Sequence, residues 1–228
     1  MILDSLLVSR DMDVVRVLRA TLEKLAINVE VTPAARAGGE SLSKSKFDAV
    51  IVDCDDVQGG IDVLRGLRAT ASNKSSVSFA ILNGKTTTQQ AFEYGANFVL
   101  QKPLTSSTTL RCFNTAMSFM VRERRRYFRC PLEIPVILTL PEGQDVKTVT
   151  SNLSEGGMAV KLPNAKPNTL LSKVHFMLPG THSAMEPKGE IVWSDRRGQA
   201  GIRFVDLPEN CQLQLETWLM RRMESDEN

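Results

Sequence analysis

Near residue 130 the hydrophobic repeat of this chain changes period. Before that point, short apolar runs alternate with segments whose apolar residues recur at helical spacing. After it, apolar residues recur at every second position. The two patterns belong to different architectures, so two domains are expected, residues 1–120 and 121–228. A chain of 228 residues is long enough to bury a core in each.

In the first half, "SLLVS" is followed by "DMDVVRVLRATLEKLA", in which Val15, Leu18, Leu22 and Leu25 keep helical spacing. "FDAVIVDC" is a continuous apolar run ending in acidic residues, the pattern of a strand buried on both faces of a parallel sheet. Strand and helix then alternate as far as "NFVL". This order predicts a doubly wound α/β fold with a five-stranded parallel sheet and helices on both faces. Leu110, Phe113, Met117 and Met120 continue a helical pattern from about Ser106 towards the arginines near residue 125, which predicts a long linker helix. In the second half, Leu132, Ile134, Val136, Leu138 and Leu140 alternate with their neighbours, and Gly- and Pro-rich breaks separate further short strands. A small antiparallel β-barrel is expected. Cys211, Leu215, Trp218 and Leu219 form the apolar face of a C-terminal helix.

Several functions are excluded by what the sequence contains. The formal net charge is +2, and the basic residues cluster in one place, which argues against a nucleic-acid partner. No apolar run is long enough to span a bilayer, and "MILDSLLVSRDMD" reads as a strand rather than a leader, so a cytoplasmic location without membrane insertion is expected. Cys54, Cys112, Cys130 and Cys211 form no CxxC pair and only His175 and His182 accompany them, so no metal site is expected. No catalytic constellation is evident, so the chain is not expected to be an enzyme. His175 and Trp193 read as structural residues, the latter in the barrel core.

The chemistry lies in two segments. "RERRRYFR" places five arginines in eight residues, with Tyr127 and Phe128 between Arg126 and Arg129. Guanidinium is a planar fork that matches phosphate oxygens and the guanine edge. "NLSEGG" places Asn152 and Ser154 on one side of an extended segment, where both can bond base edges or phosphates, and Gly157 allows close backbone approach. Together they suit a compact guanine nucleotide with two phosphates.

Arg125 to Arg129 matches the RxxxR motif of PilZ domains, and Asn152 to Gly157 matches their (D/N)xSxxG motif. From Glu123 to the end, the chain resembles that family. The resemblance implies binding of cyclic di-GMP, with Arg125 and Arg129 on phosphate and guanine. Asn152, Ser154 and Gly157 would complete the guanine-facing surface, and Arg126 would add charge. No other cofactor is implied. Residues 2–120 resemble the receiver domain of response regulators, anchored by Asp53 and by Lys102-Pro103. There the aspartate accepts a phosphoryl group and the lysine pairs with it. Ser9 and Arg10 stand where that family has metal-holding acids, and Asn83 where it has a switching hydroxyl. The site around Asp53 and Lys102 is therefore expected to be vestigial, with Arg10 a candidate for the metal's place.

The expected function is a non-catalytic cyclic di-GMP receptor that signals through its linker helix to a protein partner. That helix is also a candidate for pairing two copies. The alternatives are a response regulator phosphorylated on Asp53, with Asp11 and Asp55 improvising a metal site, and a PilZ adaptor that binds no nucleotide.

Overall fold

The computed structural model describes residues 2–225. It divides into two compact units, Ile2–Arg124 and Arg125 onward. The division falls inside the arginine cluster rather than after residue 120.

The first unit is a parallel sheet of strands β1 (Leu3–Val8), β2 (Ile27–Thr32), β3 (Ala49–Asp53), β4 (Val77–Leu82) and β5 (Phe98–Gln101). Their order is β2-β1-β3-β4-β5. The helices are α1 (Met12–Lys24), α2 (Ala35–Lys44), α3 (Gly60–Leu67), α4 (Thr88–Glu93) and α5 (Ser106–Tyr127). Every residue of β3 and β4 is buried, because helices cover both faces of the sheet. On one face α1 contributes Val14, Leu18 and Leu22, and α5 contributes Phe113, Ala116 and Met120. On the other, Leu42, Leu64, Leu67 and Ala91 come from α2, α3 and α4. The expected doubly wound fold is thus present. It brings the carboxyl ends of β1, β3 and β5 together, where open α/β sheets build their sites.

α5 begins at Ser106 as its pattern predicts and ends at Tyr127. Its last turn within the first unit is pinned by ion pairs. Glu123, almost fully buried, meets Lys46 at 2.8 Å, and Arg124 meets Asp4 at 3.0 Å and Asp48 at 3.5 Å. Burial pushes the Asp48 carboxyl above its usual range.

The second unit is antiparallel. Its strands are β6 (Cys130–Pro131), β7 (Pro135–Thr139), β8 (Asp145–Ser154), β9 (Gly157–Lys161), β10 (Thr169–Leu171), β11 (Lys173–Met177), β12 (Ala184–Met185), β13 (Lys188–Ser194) and β14 (Gln199–Asp206). The order is β10-β13-β14-β9-β8-β7-β11-β12, with β6 also on β8. The Val174 N–H donates to the Pro187 carbonyl at 2.8 Å, linking β11 to the start of β13 and curling the sheet round one core. Helix α6 (Glu209–Ser225) adds Leu215 and Leu219 to that core.

Three register shifts interrupt the alternation, one between Lys188 and Gly189 and two bulges nearer the middle of the sheet. On β8, Thr150 pairs with Val160 but Asn152 pairs with Ala159, so β8 holds one extra residue. Thr150 is buried, and its hydroxyl bonds the Leu132 carbonyl and the Ile134 N–H where β6 gives way to β7. On β13, Ile191 pairs with Ile202 but Trp193 pairs with Gly201. Each bulge turns the following side chains to the opposite face of the sheet.

Gly157, on β9, sits directly against the backbone of β14, paired with Arg203. A Cβ there would lie 2.0 Å from the Ile202 carbonyl oxygen. The Gly157→Ala variant should therefore lose about 1–3 kcal/mol, the usual cost of overpacking. The chain's two tryptophans, Trp193 and Trp218, both lie in this unit. Urea unfolding followed by tryptophan fluorescence should show an earlier midpoint in the variant.

Candidate functional site

Inward of the second unit's sheet, one row of residues faces the core: Leu153, Met158, Ile202 and Ile191, all buried. The residues on either side of that row face outward. In register they form two rows. Asn152, Ala159, Gly201 and Trp193 are paired across four strands, as are Ser154, Gly157, Arg203 and Glu190. Of the four middle positions three are Gly157, Ala159 and Gly201 and the fourth is Arg203, so the outer face sinks beside that arginine. The result is an open cleft of about 400 Å³. It is lined by Arg129, Asn152, Ser154 and Gly157 on one side and by Trp193 and Arg203 on the other.

Arg129 reaches the cleft because β6 pairs with β8, Pro131 opposite Asn152. Its Nη1 donates to the Arg126 and Phe128 carbonyls at 3.0 and 3.2 Å, which fixes the fork. Ser154 is buried, and its hydroxyl donates to the Gly157 carbonyl at 2.9 Å, closing the turn. Gly157 serves the close approach of β9 to β14 as well as lining the cleft.

Four of the six residues expected to bind nucleotide therefore share one cleft: Arg129, Asn152, Ser154 and Gly157. Arg125 does not line it; its Nη2 lies 3.2 Å from the Met220 sulfur on α6. Arg126 is exposed and is also absent from the lining.

Trp193 corrects the sequence reading. It is 45% exposed rather than buried in the core, and it lines the cleft. A Cβ on Gly201 would lie 2.0 Å from the indole nitrogen, so the ring rests on the bare backbone of β14. The bulge after Ile191 puts it there. The signal in the sequence was the glycine two residues before Arg203, facing a tryptophan in the neighbouring strand.

The first unit's cluster lies at the strand ends. Asp53 closes β3 and is fully buried. Lys102 follows β5 and precedes a cis proline. Its Nζ donates to Asp11 at 2.7 Å, Asp53 at 2.9 Å and Asp56 at 2.6 Å. Burial by itself would lower the Lys102 pKa, but these hydrogen bonds outweigh it and hold the ammonium above its ordinary value. The same bond to Lys102 holds Asp11 below the usual carboxylate range. Ser9 donates to Asp53 Oδ2 at 2.8 Å.

Two expectations are replaced here. Lys102, not Arg10, stands against Asp53; Arg10 is exposed. Asp56, not Asp55, joins Asp11 beside it. Asp55 instead accepts from the backbone N–H groups of Asn83, Lys85 and Thr86. Those bonds overcome the opposing effect of burial and keep its pKa low.

Receiver domains imply a magnesium ion at this position. Oxygens of Asp11, Asp53 and Asp56 lie within 4.8 Å of one another. However, Oδ2 of each is already taken by the Lys102 ammonium. The end of β1 offers a hydroxyl and an exposed cation where carboxylates would be needed. Asp53 Oδ1 is buried without a hydrogen-bond partner among the described residues, but one oxygen falls short of the several a hard cation requires. The residues present do not fit the ion.

A doubly wound unit with a buried aspartate and lysine at its strand ends, joined to an antiparallel unit with an arginine, asparagine and serine round a glycine floor, defines a two-domain class. The family model of the response regulator receiver domain matches residues 6–112, and that of the PilZ domain matches residues 123–221. The chain is a receiver domain followed by a PilZ domain. A curated relative is the cellulose synthase catalytic subunit (UDP-forming) of Xanthomonas axonopodis pv. citri (strain 306). It is 32% identical over 100 residues, 43% of this chain and 13% of that protein. The chain thus matches a small part of that relative's length. Among solved structures, the receiver domain of sensor histidine kinase PA1611 from Pseudomonas aeruginosa PAO1 is 20% identical, with a TM-score of 0.46, covering 53% of this chain and 99% of that one. The chemotaxis response regulator CheY4 of Vibrio cholerae is also 20% identical, with a TM-score of 0.47, covering 50% and 98%. No helix among the described residues is long and apolar enough to cross a membrane.

Replacing Lys102 by Ala should destabilise the receiver unit, because three carboxylates lose their shared cation. The expected loss is about 1–3 kcal/mol at neutral pH, reduced from a fully buried case because Asp11 and Asp56 are partly exposed. The sign with pH is fixed. Lys102, raised in the fold, contributes fully below about pH 10; Asp11, lowered in the fold, contributes above about pH 4 and loses its contribution in acid. Hydrogen exchange at β1 and β3 should show wild type and variant differing at pH 7 and converging as the pH falls below about 4.

Proposed function

We propose that the chain is a non-catalytic cytoplasmic receptor for cyclic di-GMP. The observation that carries this reading is the convergence of Arg129, Asn152, Ser154 and Gly157 on one cleft of the PilZ domain. Arg129 supplies a planar fork for a phosphate or a guanine edge. Asn152 offers both donor and acceptor to the base. The half-exposed Trp193 indole supplies an apolar face on which a base can stack. Arg125 would reach the ligand by leaving Met220, and Arg126 would strengthen the local positive field. Ligand binding would be passed through α5 to a protein partner, with a second copy of the chain a candidate for the same helix. What is shared with the cellulose synthase relative is taken to be the regulatory region and not its catalysis.

Calorimetric titration of the full chain tests this. Micromolar or tighter binding of cyclic di-GMP is expected. Arg129→Ala should weaken it about ten- to a hundredfold, the worth of one charge-assisted pair. A wild-type chain that takes up no cyclic di-GMP would end the proposal.

In this reading Asp53 is not a phosphoacceptor, since the ammonium of Lys102 already occupies the carboxylates that a metal would need. Phosphoryl transfer without that metal loses its main charge neutraliser. After incubation with acetyl phosphate and Mg²⁺, the intact mass should be unchanged. A substantial phosphate adduct that disappears in Asp53→Asn would favour a phosphorylated response regulator instead.

A further inference from the structure

We propose that Arg203 is a second ligand-contacting guanidinium, facing Arg129 across the cleft; this rests on the nucleotide reading above and specifies how the ligand is held. Neither the arginine-rich segment nor the Asn152–Gly157 turn includes it.

Strand register puts it there. Ser154 pairs with Gly157, and Gly157 with Arg203, so the three lie in one row on one face. Two strand steps separate β8 from β14, which corresponds to roughly 10 Å. Arg129 enters beside β8 through β6. The two guanidinium groups therefore belong to opposite flanks of a cleft whose floor between them has almost no side chains.

Arg203 is also oriented. Its Nη2 donates to Oε2 of Glu190, its paired residue on β13. Glu190 is the more buried partner, with 19% of its side chain exposed against 62% for Arg203. The tether uses one nitrogen of a five-donor fork. The remaining edge is available to a bound anion. An exposed ion pair of this kind adds little to stability. Its position on the rim is then better explained by what it presents to the cleft than by what it adds to the fold.

A ligand with two phosphates gives each flank a partner. Arg129 takes one anionic group and Arg203 another, while a base stacks on the exposed face of the Trp193 ring that covers Gly201.

The test is calorimetry with cyclic di-GMP on the full-length chain, comparing wild type, Arg129→Ala, Arg203→Ala and Arg203→Lys. Arg203→Ala should weaken binding at least about tenfold. Arg203→Lys should fall between wild type and Arg203→Ala, because an ammonium keeps the charge but not the fork. Thermal unfolding of both variants should match wild type, which separates contact from structure; if Arg203→Ala unfolds early, Arg203→Lys carries the comparison. Arg203→Ala binding within twofold of wild type, while Arg129→Ala loses tenfold, would overturn this inference alone. Absence of binding by the wild type would overturn it together with the nucleotide reading.

Discussion

A side chain on a strand has two directions to choose from, into the core or out of it, and the PilZ unit's cleft depends on how that choice is made. Leu153, Met158, Ile202 and Ile191 turn inward and are sealed among the core residues. Their neighbours along each strand are then forced outward together, across four strands at once. The site is the outer face of the same strands whose inner face supplies the hydrophobic stabilisation. The burial of Ile202 therefore fixes Arg203, and the burial of Leu153 fixes Asn152 and Ser154.

The receiver unit solves a different problem, that of closely placed negative charge. Three carboxylates at the ends of buried strands would repel one another and resist desolvation. In this chain the neutralising charge is covalently attached, as the Lys102 ammonium. Asp55, a fourth acid in the same loop region, is directed away and satisfied by backbone N–H groups. The unit's carboxyl-end pocket is thereby settled from within. At its other end, Glu123 and Arg124 tie the end of α5 to Lys46, Asp4 and Asp48.

Much of this was legible in the sequence. The alternation of strand and helix, the length of α5 and the outward pairing of Asn152 with Ser154 follow from periodicity. The cluster of arginines was legible as a motif but not as a set of separate contacts. Arg124 belongs to ion pairs of the first unit, Arg125 lies on Met220, and only Arg129 of the five lines the cleft. Neighbours on a helix point in different directions, and composition cannot say which one meets a ligand. Trp193 was misread because simple alternation from Ile191 carries it inward; the extra residue of the bulge reverses that. Lys102 was expected near Asp53, but its reach to Asp11 and Asp56 depends on loop geometry that no period describes. Arg203 had no motif to announce it, since its place comes from pairing with Gly157 rather than from its neighbours in the chain.

The two bulges give this site an unusual kind of address. Ser151 and Val192 are the supernumerary residues. The pairs that flank each of them, Thr150 with Val160 and Asn152 with Ala159, Ile191 with Ile202 and Trp193 with Gly201, are consecutive on the partner strand. Removing a single codon at Ser151 would therefore restore plain alternation and leave Asn152, Leu153 and Ser154 on the faces they hold. In terms of inheritance, the extra letter is one the layout of the cleft can lose, whereas the spacing it hides from simple counting is what the pairing preserves.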